Sequence, residues 1–156
     1  MSYSFDTKNS KDLFNEFCIR SKEYREDPMS SGNAVICAIL SWHVVEWIYQ
    51  EYASSLTKYP RRRDFQDHVR HLCPSLNYMQ DIANGSKHRG ITRYTLVVKK
   101  TESHQGAFSS GFSKGFNISR LEIELDEGTI VYFDEELGKV EEFFRDFFLQ
   151  ILKVSV

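Results

Sequence analysis

Apolar positions along the chain follow two periods, and the switch between them divides it. From Asn9 or Ser10, which offer a cap, to about Glu26, Leu13, Phe14, Phe17 and Cys18 recur three and four apart, with Tyr24 two turns on. Asp27-Pro28 ends that helix, because the residue before proline disfavours helical backbone. The next run, NAVICAILSWHVVEWIYQEYASSL from about Asn33 to Leu56, is apolar nearly all round in its first half. That pattern predicts a helix at the centre of a bundle. A third helix is expected from about Arg62 to Leu72. Cys73-Pro74 breaks it, and Pro74 suits the first turn of a fourth helix, PSLNYMQDIANGSKH. In that fourth helix Leu76, Met79 and Ala83 form an apolar ridge, with Asp81, Asn84 and His88 on roughly the opposite side.

After His88 the period falls to two. ITRYTLVVKKT alternates as a strand with Tyr94, Leu96 and Val98 on one face. The Gly- and Ser-rich ESHQGAFSSGFSKGF, about 102–116, reads as a mobile loop. Leu121, Ile123 and Leu125 alternate again, Asp126-Glu127-Gly128 turns, and Thr129 to Phe133 return. Asp134 is placed to cap a last helix whose Leu137, Val140, Phe144, Phe147, Phe148 and Ile151 make one apolar stripe. The expected fold is α+β, mainly α. It is a four-helix bundle with a three-stranded antiparallel β-meander inserted at about 91–133, before the C-terminal helix, in a single domain.

Composition narrows this picture in three ways. With 12 Phe and 8 Tyr in 156 residues, the core should be rich in aromatic rings. No run of about 18 apolar residues occurs, and the first residues, MSYSFDTKNSKD, are polar, so the expectation is a cytoplasmic protein with no membrane span. The three cysteines, Cys18, Cys37 and Cys73, are scattered, and Cys18 and Cys37 sit in apolar stretches that suit reduced core thiols. The formal charge of −2 hides an asymmetry. Residues 58–100 hold ten Lys or Arg against three acids, a surplus of seven, and the rest holds ten against nineteen. Such a basic middle either attracts phosphate or is cancelled by acidic elements packed beside it.

Four groups of residues could carry chemistry. His43 and Glu46 lie three apart on the apolar second helix, so they either open into a polar cleft or bond to neighbouring helices. His68, His71 and Cys73 do not reach metal-site spacing, and no metal or other cofactor is expected. Arg61, Arg62 and Arg63 stand at a helix start, where the macrodipole disfavours cations, which hints at a phosphate or an acidic partner. DIANGSKHR ends the fourth helix, where Lys87, His88 and Arg89 meet its negative pole. A histidine that can move protons, between two cations that can hold phosphate charge, is also a candidate phosphodiester site.

An apolar central helix followed by a helix ending in ANGSKH resembles the HEPN superfamily of small helical domains of prokaryotic toxin–antitoxin, abortive-infection and RNA-processing systems. The resemblance implies RNA as ligand and homodimers whose two motifs face each other across a cleft. In ribonuclease members it also implies metal-independent cleavage through the ribose 2′-hydroxyl, on a motif of Arg, a polar residue, a short spacer and His. Here Asn84 matches the polar position and His88 the histidine, while Ala83 stands where the arginine would be. The implied function is a non-catalytic protein that binds RNA or a protein partner, with phosphate contacts from Lys87, Arg89 and Arg61 to Arg63 and with Asp81, His43 and Glu46 in a cleft. The alternatives are a ribonuclease using His88, and a protein-interaction module contacting its partner through the meander or its Gly-rich loop.

Overall fold

The computed structural model describes residues 4–89, 96–104 and 120–156. Asn9 caps the first helix, α1 (Ser10–Glu26), by accepting the Asp12 N–H at 2.8 Å. Ser30 does the same for α2 (Ser31–Tyr52), accepting the Asn33 N–H at 3.2 Å. This starts α2 two residues earlier than expected, and the helix stops at Tyr52 and not at Leu56, although Leu56 remains buried. The start of α1 is tied to the end of α2, because the Ser10 N–H and Oγ both donate to Glu51, at 2.7 and 2.5 Å. The short α3 (Arg62–Leu72) and α4 (Ser75–His88) follow with the expected bounds.

The sheet is antiparallel in the order β1 (Val98–His104), β2 (Arg120–Leu125), β3 (Ile130–Tyr132). A bulge lies between Val98 and Lys100, and Thr101 and Ser103 then face Ile123 and Leu121. β1 therefore includes Glu102 to His104, which the Gly/Ser pattern assigned to the loop, because Arg120 to Glu122 give those residues backbone partners. Tyr94 and most of the expected loop lie outside the described residues. β3 passes directly into α5 (Phe133–Asp146), which is capped at Tyr132 and not at Asp134. Asp134 sits instead in the first turn, where Arg120 of β2 donates to it at 3.0 Å and to Glu135 at 2.6 Å.

The fold is thus mainly helical α+β, with five α-helices among the described residues and not the four of the expected bundle, and with the three-stranded antiparallel sheet placed before the last helix as expected. Its core is aromatic. Phe14 and Phe17 of α1 meet Phe144 of α5 edge-on at 5.8 and 6.1 Å, and Phe14 also meets Phe148 at 5.4 Å. Tyr24 packs edge-on against Phe133 at 5.1 Å. Of the expected stripe on α5, Ile151 is 59% exposed. The end of α5 widens into a π-turn, Phe147–Ile151, with the Leu152 N–H reaching back five residues to Phe147 at 3.1 Å. Each residue then turns the chain through a smaller angle, so Ile151 falls off the buried face.

By length and composition alone α2 is long and apolar enough to cross a membrane. Its Cys37, Ala38, Val44, Val45 and Ile48 are nevertheless buried inside the fold. The packing is not complete all round, since Val35 is half-buried and Ile36 exposed.

On the α1–α5 seam, Glu141 receives hydrogen bonds from Ser21 (2.9 Å), Arg25 (3.0 Å) and Arg145 (3.0 Å). Burial pushes its carboxyl up, but those donors outweigh burial and hold it below the usual 4.5. A carboxyl depressed in the folded state stabilises the fold above its unfolded pKa, and that contribution is lost as pH falls through the folded value. Glu141→Gln should therefore lower stability at pH 7 and flatten its decline between pH 5 and 3, read from urea unfolding at each pH. A variant as acid-sensitive as the parent would remove Glu141 from that role.

Candidate nucleic-acid interface

Asn84, Gly85 and Ser86 do not end α4. The helix runs through them to His88, and Arg89 closes it in left-handed backbone (φ 54°), its N–H bonding to Gly85 O at 3.0 Å. That position usually belongs to glycine. The closure leaves Lys87, His88 and Arg89 exposed in one turn at the negative pole of the helix. A Cβ added to Gly85 would meet nothing within 4 Å, so close packing does not require this glycine. Ser86 donates back to Ala83 O at 2.8 Å, a local bond that helps the turn keep its shape.

Two neighbours in the expected motif lie elsewhere. Asp81 was placed on the open side of α4, but it is buried at 7% exposure and accepts the N–H groups of Val97 (2.7 Å) and Val98 (2.9 Å). The chain comes back beneath α4 to begin β1, and this carboxylate satisfies its first two amides. Asp81 is therefore a joint between helix and strand. Ala83 is buried at 8% exposure beside Met79 and Leu76 in the core ridge, and Asn84 is half-buried.

The other candidates have separate uses. His43 is exposed, and Glu46 is half-buried and faces Arg62 of α3 at 4.0 Å, so with Asp81 committed to β1 the three do not form one polar cleft. Arg61 holds Asp64 at 2.7 Å, and Arg63 lies 4.0 Å from Asp67. Arg61 also keeps the Asp64 carboxyl below its usual range. The cations at the start of α3 are thus answered by acids, two of them in the first turns of the same helix, and need no phosphate. His68 lies against Tyr59 at 4.9 Å, Cys73 is buried and His71 exposed, and no metal-binding group occurs among the described residues. Burial pushes the Cys18 and Cys37 thiols up to about 11 and about 12, which leaves both protonated and unreactive at neutral pH.

Part of the basic surplus of the middle is answered in the same way. Lys99 pairs with Glu124 at 2.6 Å, Lys100 pairs with Glu102, and Arg70 is held by Asp67 and lies over the Trp42 ring. Among the described cations of residues 58–100, only Lys58, Lys87 and Arg89 have no carboxylate within 4.0 Å. Two of those three flank His88.

Sequence reading missed the groove beside this turn. About 350 Å³ lies between α4 and β1, lined by Ile82, Gly85, Ser86, Leu96, Lys99 and Lys100. A smaller depression of about 100 Å³ under the sheet shares Val35, Ile82 and Thr101 with it. Its walls are the Ile82, Gly85 and Ser86 side of α4 and the stretch from Leu96 to Thr101, which no periodicity in the sequence brings together. No protein-family model, curated protein or solved structure matches the chain.

Two substitutions separate structural from surface roles here. Asp81→Ala leaves two amides without their acceptor and should cost about 2–3 kcal/mol in urea unfolding, with faster amide exchange at Val97 and Val98. Unchanged exchange there would show that the joint is not held by Asp81. Gly85→Ala should stabilise the protein by roughly 0.5–1 kcal/mol through helix propensity, measured as a rise in melting temperature. A loss of stability would reveal a backbone requirement that the open space around Gly85 does not suggest.

Proposed function

We propose that this chain is a non-catalytic, HEPN-like cytoplasmic domain of a prokaryotic defence or toxin–antitoxin type system, which holds the phosphate backbone of RNA on the last turn of α4. The observation that carries this reading is the set Lys87, His88 and Arg89: consecutive, exposed, and without a carboxylate partner among the described residues. Charges already paired with acids must give up those partners to take phosphate, whereas Lys87 and Arg89 need not. Arg61, Arg62 and Arg63 accordingly drop to a secondary role.

Burial of Ala83 favours binding over cleavage. In the ribonuclease motif the arginine helps hold the phosphate, and here its position is filled by a small side chain turned into the core. No carboxylate orients His88 among the described residues, and Asp81 is committed to β1. With Ala83 in the arginine position and no carboxylate to orient its ring, His88 has little to offer a phosphoryl transfer beyond a hydrogen bond.

Fluorescence anisotropy with a labelled single-stranded RNA tests this. With two phosphate contacts, raising salt from about 50 to about 200 mM should weaken binding about sevenfold, and Lys87→Glu with Arg89→Glu should remove both the binding and its salt dependence. The same RNA should remain uncut over hours. Cleavage that His88→Ala abolishes would establish the ribonuclease reading instead. Absence of any binding at low salt would leave the turn without a nucleic-acid role.

A further inference from the structure

Building on the RNA reading above, we infer that the groove between α4 and β1 seats one unpaired base of a single-stranded RNA whose phosphate lies on Lys87 and Arg89. A glycine that the fold does not need points there. Gly85 sits inside α4 without the positive φ that calls for glycine, and a Cβ there would meet nothing within 4 Å. Glycine weakens a helix interior relative to alanine, and here neither backbone conformation nor packing gives anything in return. What Gly85 does is line the groove of about 350 Å³, where a bare backbone keeps the wall open to a flat ring.

The groove and the cations adjoin. Ile82, Gly85 and Ser86 stand on one side of α4 at helical spacing, and Arg89 is the next position in that series. Its N–H bonds to Gly85 O at 3.0 Å, which sets Arg89 at the end of the groove wall. Wall and cation thus lie one helical turn apart, roughly 5 Å, a gap that one ribose spans.

Inside the groove the chemistry suits a neutral ring and not a second anion. Val35, Ile82, Leu96 and Val98 give it apolar surface. Ser86 Oγ, which donates to Ala83 O at 2.8 Å, can still accept from a base. The buried Asp81 carboxylate also reaches the lining and disfavours phosphate there, while Lys99 and Lys100 are answered by Glu124 and Glu102. Phosphate therefore stays outside, on the turn. The volume falls at the small end of ligand sites, roughly 300–1,000 Å³, as a single ring system requires. Bases of a duplex are stacked away from such a groove, whereas those of a single strand can splay into it.

Fluorescence anisotropy of the full chain at low salt is the test, with a labelled single-stranded RNA of mixed sequence and an abasic ribose-phosphate strand of the same length. The intact strand should bind about tenfold more tightly than the abasic one. Gly85→Leu should weaken the intact strand about tenfold and leave the abasic strand, and the salt dependence of both, unchanged, since it fills the groove without altering a charge. Circular dichroism should show this variant folded, leucine being a better helix former than glycine. Equal affinity of the parent for the two strands, or parent-like binding of the intact strand by Gly85→Leu, would overturn the base seat and leave the phosphate contacts standing. Failure of both strands to bind at low salt would overturn both.

Discussion

Phe144 of α5 and Phe148 of the π-turn that follows it press on Phe14 and Phe17 of α1 at ring separations of 5.4 to 6.1 Å, and the sheet owes its position to that contact. More than a hundred residues separate the two helices, so closing the chain is entropically costly, and buried aromatic area is what offsets it. Once α5 is docked, β3 is fixed by direct continuity with it, and β2 by pairing with β3 and by the Arg120 contacts to Asp134 and Glu135. β1 follows through β2 and through Asp81. The last turn of α4 and the strand beside it are thus held in place by one chain of constraints that begins in the aromatic seam.

Charge placement is governed by local neutralisation. The +7 middle and −9 remainder suggested either a phosphate-binding face or mutual cancellation. Cancellation accounts for part of it: Glu46, Glu102 and Glu124 answer Arg62, Lys100 and Lys99 from outside the segment, and Asp64 and Asp67 answer Arg61, Arg63 and Arg70 within it. Exposed pairs of this kind add little stability each. Their effect is on recognition, because a paired arginine is a weaker anion site than a free one. What survives is the end of α4, where the helix dipole itself favours Lys87 and Arg89 without an acidic side chain.

Ala83 and Asp81 show how one helix divides its work. Residues two apart on a helix do not share a face, yet both are buried, because α4 packs on α2 along one side and on the start of β1 along another. Little of its circumference is left open until the final turn. This explains why only residues 86 to 89 are exposed in a row, and why the remainder of DIANGSKHR is structural.

The two hydrophobic periods, the breaks at Pro28 and Pro74, the Asn9 cap and the aromatic stripe of α5 were all legible in the chain, since backbone sterics and residue spacing act locally. So were the α+β class and the order of its elements. The tertiary structure alone decided the rest. Whether Asp81 met solvent or a strand depended on where β1 returned, and whether Arg62 remained open depended on the approach of Glu46 on α2. Ile151 left its stripe through a π-turn that no periodicity announces. A sequence records which groups carry charge and which are apolar; only the folded arrangement determines which of them have already found partners.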